Sequence, residues 1–260
     1  MSESNDVQNA ADDDHWEIYV TYVDEQPAVI LVDIGVSNVA PIPSLTNLVW
    51  LSIAFPDADD QGFPDENHDD AMNGIEDSIT DDIDPSIARY VGRVTSDGHR
   101  EFFYYTSDPA SLTDTFDAAK AANPTYEIEI HESDDADWTH YWNVLYPSPE
   151  DFQQIHNEHV IRKLEQEGDS LVTPRPVDHF ANFPTPEDRA EFSVAAGAMD
   201  YETVSQPDRD DETEFPYSVG LLKTHPVDSE TIDQVTFELF ELASQYNGQY
   251  EGWGSKVVKS

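Results

Sequence analysis

The sequence predicts an α+β protein of two units, each ordered β-α-β-β-α-β. Three observations predict it. Apolar alternation marks short strands, apolar residues at three- and four-residue steps mark helices, and the same order of elements occurs twice along the chain. In the first unit, "WEIYVTYV" and "PAVILVDI" are β-rich runs separated by "DEQ", an extra N-terminal hairpin. "NLVWLSIAF" then reads as a buried strand. Met72, Ile75, Ile79 and Ile83 make one face of a helix capped by Asp65. "ARYVGRVTS" and "REFFYYTS" form a hairpin through Asp97-Gly98, Asp108-Pro109 opens a second helix to about Ala122, and "TYEIEIH" alternates as a strand.

The pattern restarts after a helix from Pro149 to Glu167 that stops at Gly168. "TPRPVDHFANF" is the next strand, and Thr185 caps a helix whose first residue is Pro186. "DYETVS" and "FPYSVGLLK" are two more strands, the second alternating Phe215, Tyr217, Val219 and Leu221. Asp228 opens a helix with Ile232, Val235, Leu239, Leu242 and Tyr246 in register, Gly248 ends it, and "QYEGWGS" supplies the last strand. This order fits two ferredoxin-like sandwiches, each an antiparallel sheet covered by two helices. The expected division is a flexible acidic leader at 1–14, an N-terminal domain at 15–148 and a second domain at 149–260.

Composition narrows the function classes. The 260 residues include 55 acidic and 12 basic side chains, for a formal charge of −43, and no cysteine. Thiolate nucleophiles, disulfides and Cys-ligated zinc are therefore excluded. The acidic excess runs along the whole chain, which suits a surface adapted to a salt-rich cytosol. Direct binding to DNA or RNA needs clustered Lys and Arg and is not expected. No run of about 18 apolar residues occurs, so the chain is expected to be cytoplasmic without a membrane span.

No nucleophile elbow, phosphate loop or dinucleotide fingerprint appears, so neither an enzyme activity nor a cofactor is expected. "DADDQGFPDENH" follows a calcium loop in its first half, but His68 stands where the bidentate Glu belongs, which points to an acidic surface loop. His131, His140, His156 and His159 are candidate metal ligands, because imidazoles near carboxylates can hold zinc. They carry the alternative reading, a metal-dependent small hydrolase using His/Asp clusters between the domains.

The closing "YEGWG" resembles the Y-D-G-W-G of the regulator of ribonuclease E activity B (RraB) family, with Glu251 in place of the usual Asp and Tyr250, Gly252, Trp253 and Gly254 matching. "VDHFANF" resembles the family's first strand at Asp178, His179 and Phe180, without the second adjacent His common there. "LEQEGD" and the helix "IDQVTFELFELASQYNGQY" also fit, so the resemblance covers roughly residues 157–258. The first half resembles a family of unknown function, through Trp16, "GFPDENHD", "VGRVTSDGHREFFYYTSD" and "DWTHYWNVLYPSPED".

The resemblance implies a non-catalytic regulator that binds a ribonuclease or other RNA-processing protein and modulates RNA turnover. Asp178, His179, Phe180, Tyr250, Glu251 and Trp253 are its candidate partner-binding residues. Tyr250 and Trp253, with Phe102 to Tyr105 in the other half, could anchor a partner, but core packing is the expected role for most of them, because strand aromatics usually fill a sheet's inner face.

Overall fold

The computed structural model describes residues 14–208 and 213–259; the expected leader lies outside them but for Asp14, as does part of the turn after residue 205. The described residues form two compact units that divide between Tyr146 and Pro147. Both are mixed α and β with one antiparallel sheet each.

In the first unit the strands are β1 (Trp16–Val23), β2 (Gln26–Asp33), β3 (Asn47–Ala54), β4 (Ala88–Ser96), β5 (His99–Thr106) and β6 (Glu127–Asp134). The helices are α1 (Glu66–Asp82) and α2 (Pro109–Ala122). The sheet runs β1-β2-β4-β5-β3-β6. Asp24 and Glu25 both take positive φ, 49° and 67°, as a two-residue turn twisted with its strands requires. Asp65 caps α1 by accepting from the His68 N–H, and Asp108 caps α2 by accepting from that of Ser111.

Val49, Leu51, Ile53, Phe102, Tyr104 and Ile128 pack against Met72, Ile75, Ile79, Leu112 and Phe116 of the two helices. The opposite face is also covered. Trp138 stacks on Tyr105 at 4.0 Å and donates to the Leu45 carbonyl, and the Tyr141 hydroxyl donates to the Asp33 carbonyl. Tyr141 lies in a π-helical turn, Tyr141–Leu145, just after Trp138. Phe102, Phe103, Tyr104 and Tyr105 are therefore all buried, on both faces and not on one alone. The acidic loop before α1 is tied internally: Asp59 accepts from the Gln61 and Phe63 N–H groups.

Scarce basic side chains serve inside this unit. Arg89 pairs with Asp14 and the fully buried Asp33, Arg93 with Glu76, and Arg100 with Asp69 at 2.6 Å. Buried charges persist only when paired in this way.

The second unit opens with α3 (Pro149–Gln166), followed by β7 (Arg175–Phe183), α4 (Pro186–Ala198), β8 (Glu202–Ser205), β9 (Tyr217–His225), α5 (Ser229–Gln245) and β10 (Gln249–Ser255). Its sheet runs β10-β7-β9-β8. Ser148 and Asp151 form a capping box on α3, and Thr185 and Asp228 cap α4 and α5. One difference from the sequence reading is local: Asn247, with φ 57°, makes the left-handed turn after α5 that was expected of Gly248.

The core lies on one face of this sheet. Ala181, Phe183, Val219, Leu221 and Tyr250 meet Phe192 and Ala196 of α4 and Val235, Leu239 and Ala243 of α5. Val177 and Trp253 meet Ile161 and Leu164 of α3 and Ile232 of α5. The other face carries exposed Asp178, Phe180, Glu202 and Glu251.

Candidate functional site

The closing strand β10 is an edge of the second sheet and pairs only with β7 among the named strands. The register gives Tyr250 opposite Ala181, then a bulge, then Gly252 opposite Phe180, Trp253 opposite His179 and Gly254 opposite Asp178. Gly252 has φ 130°, a conformation that suits glycine, and a Cβ there would come within 3.0 Å of His156 Nε2. The bulge thus sets the two aromatic residues facing inward on either side of it.

Trp253 is 6% exposed, and its indole N–H donates to Asn157 Oδ1 at 2.9 Å. Asn157, fully buried on α3, also accepts from Gln153 Nε2 and donates to Asp233 and Thr236 of α5, all within 2.9 Å. One amide therefore ties α3, α5 and β10 together, and every polar group around it is satisfied. Burial raises the Asp233 pKa, which the Asn157 donor opposes.

A second buried chain runs under β7. His225 Nδ1 lies 2.6 Å from the Pro226 carbonyl, which can only accept, so this nitrogen carries the proton. His225 Nε2 then accepts from His179 Nε2 at 3.1 Å, and His179 Nδ1 accepts from the Tyr250 hydroxyl at 2.8 Å. Both imidazoles are satisfied in their neutral forms. Burial, with His225 and Lys223 nearby, pushes His179 down to about 3; burial first also lowers His225 and raises Tyr250. Lys223 itself sits 4.3 Å from the Tyr201 ring and donates to the Met199 carbonyl. This chain holds no nucleophile beside a base, and its geometry is that of a satisfied core.

The outward face is different in kind. Phe180 is 47% exposed, and its partners on both neighbouring strands are glycines, Gly220 and Gly252. In the adjacent row, Glu202, Leu222, Asp178 and Gly254 lie side by side across four strands. A groove of about 430 Å³ borders the start of β10, lined by Pro149, Phe240, Ser244, Gly248, Gln249, Tyr250 and Glu251.

The six candidate partner-binding residues thus divide. Asp178, Phe180 and Glu251 face outward, whereas His179, Tyr250 and Trp253 are interior.

The four candidate metal ligands do not assemble a site: among the described residues no group of three or more His, Cys, Asp or Glu is placed to hold a metal ion. His131 stacks on Trp50 at 4.9 Å, His140 packs on Phe103 at 4.4 Å, and His156 lies against the Gly252 backbone. No helix among the described residues is long and apolar enough to cross a membrane.

Comparison with known families decides the affiliation. Residues 14–146 match the profile of a family of unknown function, DUF695, and residues 154–255 match that of Regulator of ribonuclease activity B, RraB. The chain belongs to DUF695 and carries an RraB domain.

The outward platform and both buried chains lie in the RraB domain. No curated protein matches the chain. Among solved structures, an unknown protein from Galdieria sulphuraria is 10% identical with a TM-score of 0.23, covering 82% of this chain and 98% of that one. A protein provisionally described as a glycine cleavage system transcriptional repressor is 12% identical with a TM-score of 0.20, covering 83% and 98%. Scores this low carry no argument about this chain.

His225 and Asn157 escaped the sequence reading. The helical spacing of Gln153 and Asn157 was the available signal for the amide hub, since residues four apart share a helix face. Nothing local linked His225 to His179, 46 positions away.

Proposed function

We propose that this chain regulates ribonuclease activity by binding a ribonuclease or another RNA-processing protein, without catalysing a reaction of its own. The match of residues 154–255 to RraB carries this reading. Supporting it, the buried His179 chain is fully satisfied internally and the exposed side chains gather on one sheet face, an arrangement suited to binding. Both units fit ferredoxin-like sandwiches: the permuted order β6-β3-β5-β4 in the first equals β10-β7-β9-β8 in the second. The domain limits of 15–148 and 149–260 and a cytoplasmic setting belong to the same reading.

The test is a cleavage assay. Purified full chain added to a purified ribonuclease E is expected to slow cleavage of a structured RNA in proportion to the complex formed, while the chain alone leaves the RNA intact. Unchanged cleavage together with no co-elution would overturn the proposal.

Salt adaptation makes its own prediction. With −43 charges, raising salt shortens the screening length from about 10 Å at 0.1 M to about 3 Å at 1 M and relieves repulsion. The melting temperature is expected to rise by several degrees, roughly 5 °C or more, as potassium chloride goes from about 0.1 to 2 M. A flat or falling melting temperature in circular dichroism counts against it.

A further inference from the structure

Gly254 has no internal reason to be glycine. Its φ is not in the left-handed range, and a Cβ built on it meets no atom within 4 Å. Glycine in a strand forfeits side-chain packing and costs entropy, so the usual compensation is a close approach by another group. Trp253 points into the core, so the side-chain direction at Gly254 is outward, beside Asp178. The space it leaves adjoins the Phe180 row.

On this platform a flat aromatic ring stands without a cross-strand side chain on either side. Ser205 fills the room above Gly220, where an added Cβ would come within 2.4 Å of its Oγ, so the surface there is level. Asp178 lies two residues from Phe180 on β7, Glu251 adjoins the Gly252 that pairs with Phe180, and Glu202 lies two strands away in the Asp178 row; all three are exposed. A planar cation satisfies both features at once. Guanidinium stacks on an aromatic face and presents forked donors to carboxylates; an ammonium does only part of this.

We propose that the outer face of the β10-β7-β9-β8 sheet, centred on Phe180, Asp178 and Gly254, docks an arginine-bearing segment of a protein partner. This deepens the reading of the RraB domain as a protein-binding regulator and rests on it. A nucleic acid could also stack on Phe180, but its phosphates would face the carboxylates of Asp178 and Glu251, which repel them. A second copy would set the same acidic patch against itself.

The probe is a short fluorescent peptide alternating Arg and Ser, compared with its Lys counterpart and titrated into the full chain at fixed salt. The Arg peptide is expected to bind roughly tenfold more tightly than the Lys peptide. Phe180→Ala and Asp178→Asn should each erase most of that preference. Gly254→Val is the decisive variant: a Cβ at this position meets no atom within 4 Å, so the fold is expected to hold, read as an unchanged or higher melting temperature, while the Arg preference is lost.

Equal binding of both peptides, or an Arg preference that survives Gly254→Val and Phe180→Ala in folded protein, overturns the proposal. So does binding of a short oligonucleotide, or self-association, that Gly254→Val abolishes. The cleavage assay separates the two readings: inhibition retained by Gly254→Val leaves the regulator standing and removes this surface. Arg-selective binding without any inhibition does the reverse.

Discussion

Replacing Asn157 by alanine is expected to lower the stability of the RraB domain by about 3–5 kcal/mol. The fully buried amide makes four hydrogen bonds, and its removal strands donors on Gln153 and Trp253 while depriving Asp233 of a hydrogen-bond donor. Each unsatisfied buried group costs about 1–3 kcal/mol, and a cavity adds to that.

Trp253→Phe separates packing from hydrogen bonding, because it keeps most of the apolar area and removes only the indole donor. Its cost should be nearer 1–2 kcal/mol. Urea unfolding of the full chain, with hydrogen exchange localising the loss to α3, α5 and β10, gives both values. A loss below about 1 kcal/mol for Asn157→Ala would show that these elements are held by apolar contacts alone.

That amide also marks the boundary of what sequence could reveal. Strands and helices were legible because their signals are local. Asp65, Thr185 and Asp228 announce helix starts, Asp97-Gly98 announces a hairpin, and each cap is in place. Core packing was the expected role of Tyr250 and Trp253; what a regular alternation cannot forecast is the bulge at the positive φ of Gly252 that lets both face inward. Phe102 to Tyr105 likewise looked like a one-sided strand, and the aromatic segment from Trp138 to Tyr146 buried its second face.

Histidine was misleading in a physical way. Imidazoles near acids suggest metal in a sequence, but the folded chain uses His131 and His140 as aromatic surfaces and His179 as a neutral link. The exposed platform was half legible. Asp178, Phe180 and Glu251 were singled out by resemblance, yet only the pairing register shows that Phe180 lies between two glycines and that Gly254 fills no internal need.

The neutral link has a consequence for acid stability, the second large effect expected. An unfolded histidine titrates near 6.5, whereas burial beside His225 and Lys223 holds His179 to about 3 in the folded chain. Between those values the unfolded chain binds a proton that the folded chain refuses. Stability is therefore full above about pH 6.5 and is lost as pH falls toward 3, the reverse of a histidine that gains an anionic partner.

From pH 7 to 5 His179 alone should cost roughly 2 kcal/mol, and His225, lowered by the same burial, adds in the same direction. The structural reason is the proton count: Nε2 of His225 must accept from His179, so a proton placed there sets two donors against each other. Carboxylates held low by arginine, such as Asp169, lose their contribution only further into acid. His179→Phe should lower stability at pH 7, because the Tyr250 hydroxyl loses its acceptor, yet flatten the slope between pH 7 and 5. Urea midpoints of both proteins across that range, at constant salt, measure the two slopes. Equal slopes would mean that His179 is protonated as readily in the fold as in the open chain, and that the chain from Tyr250 to Pro226 does not hold.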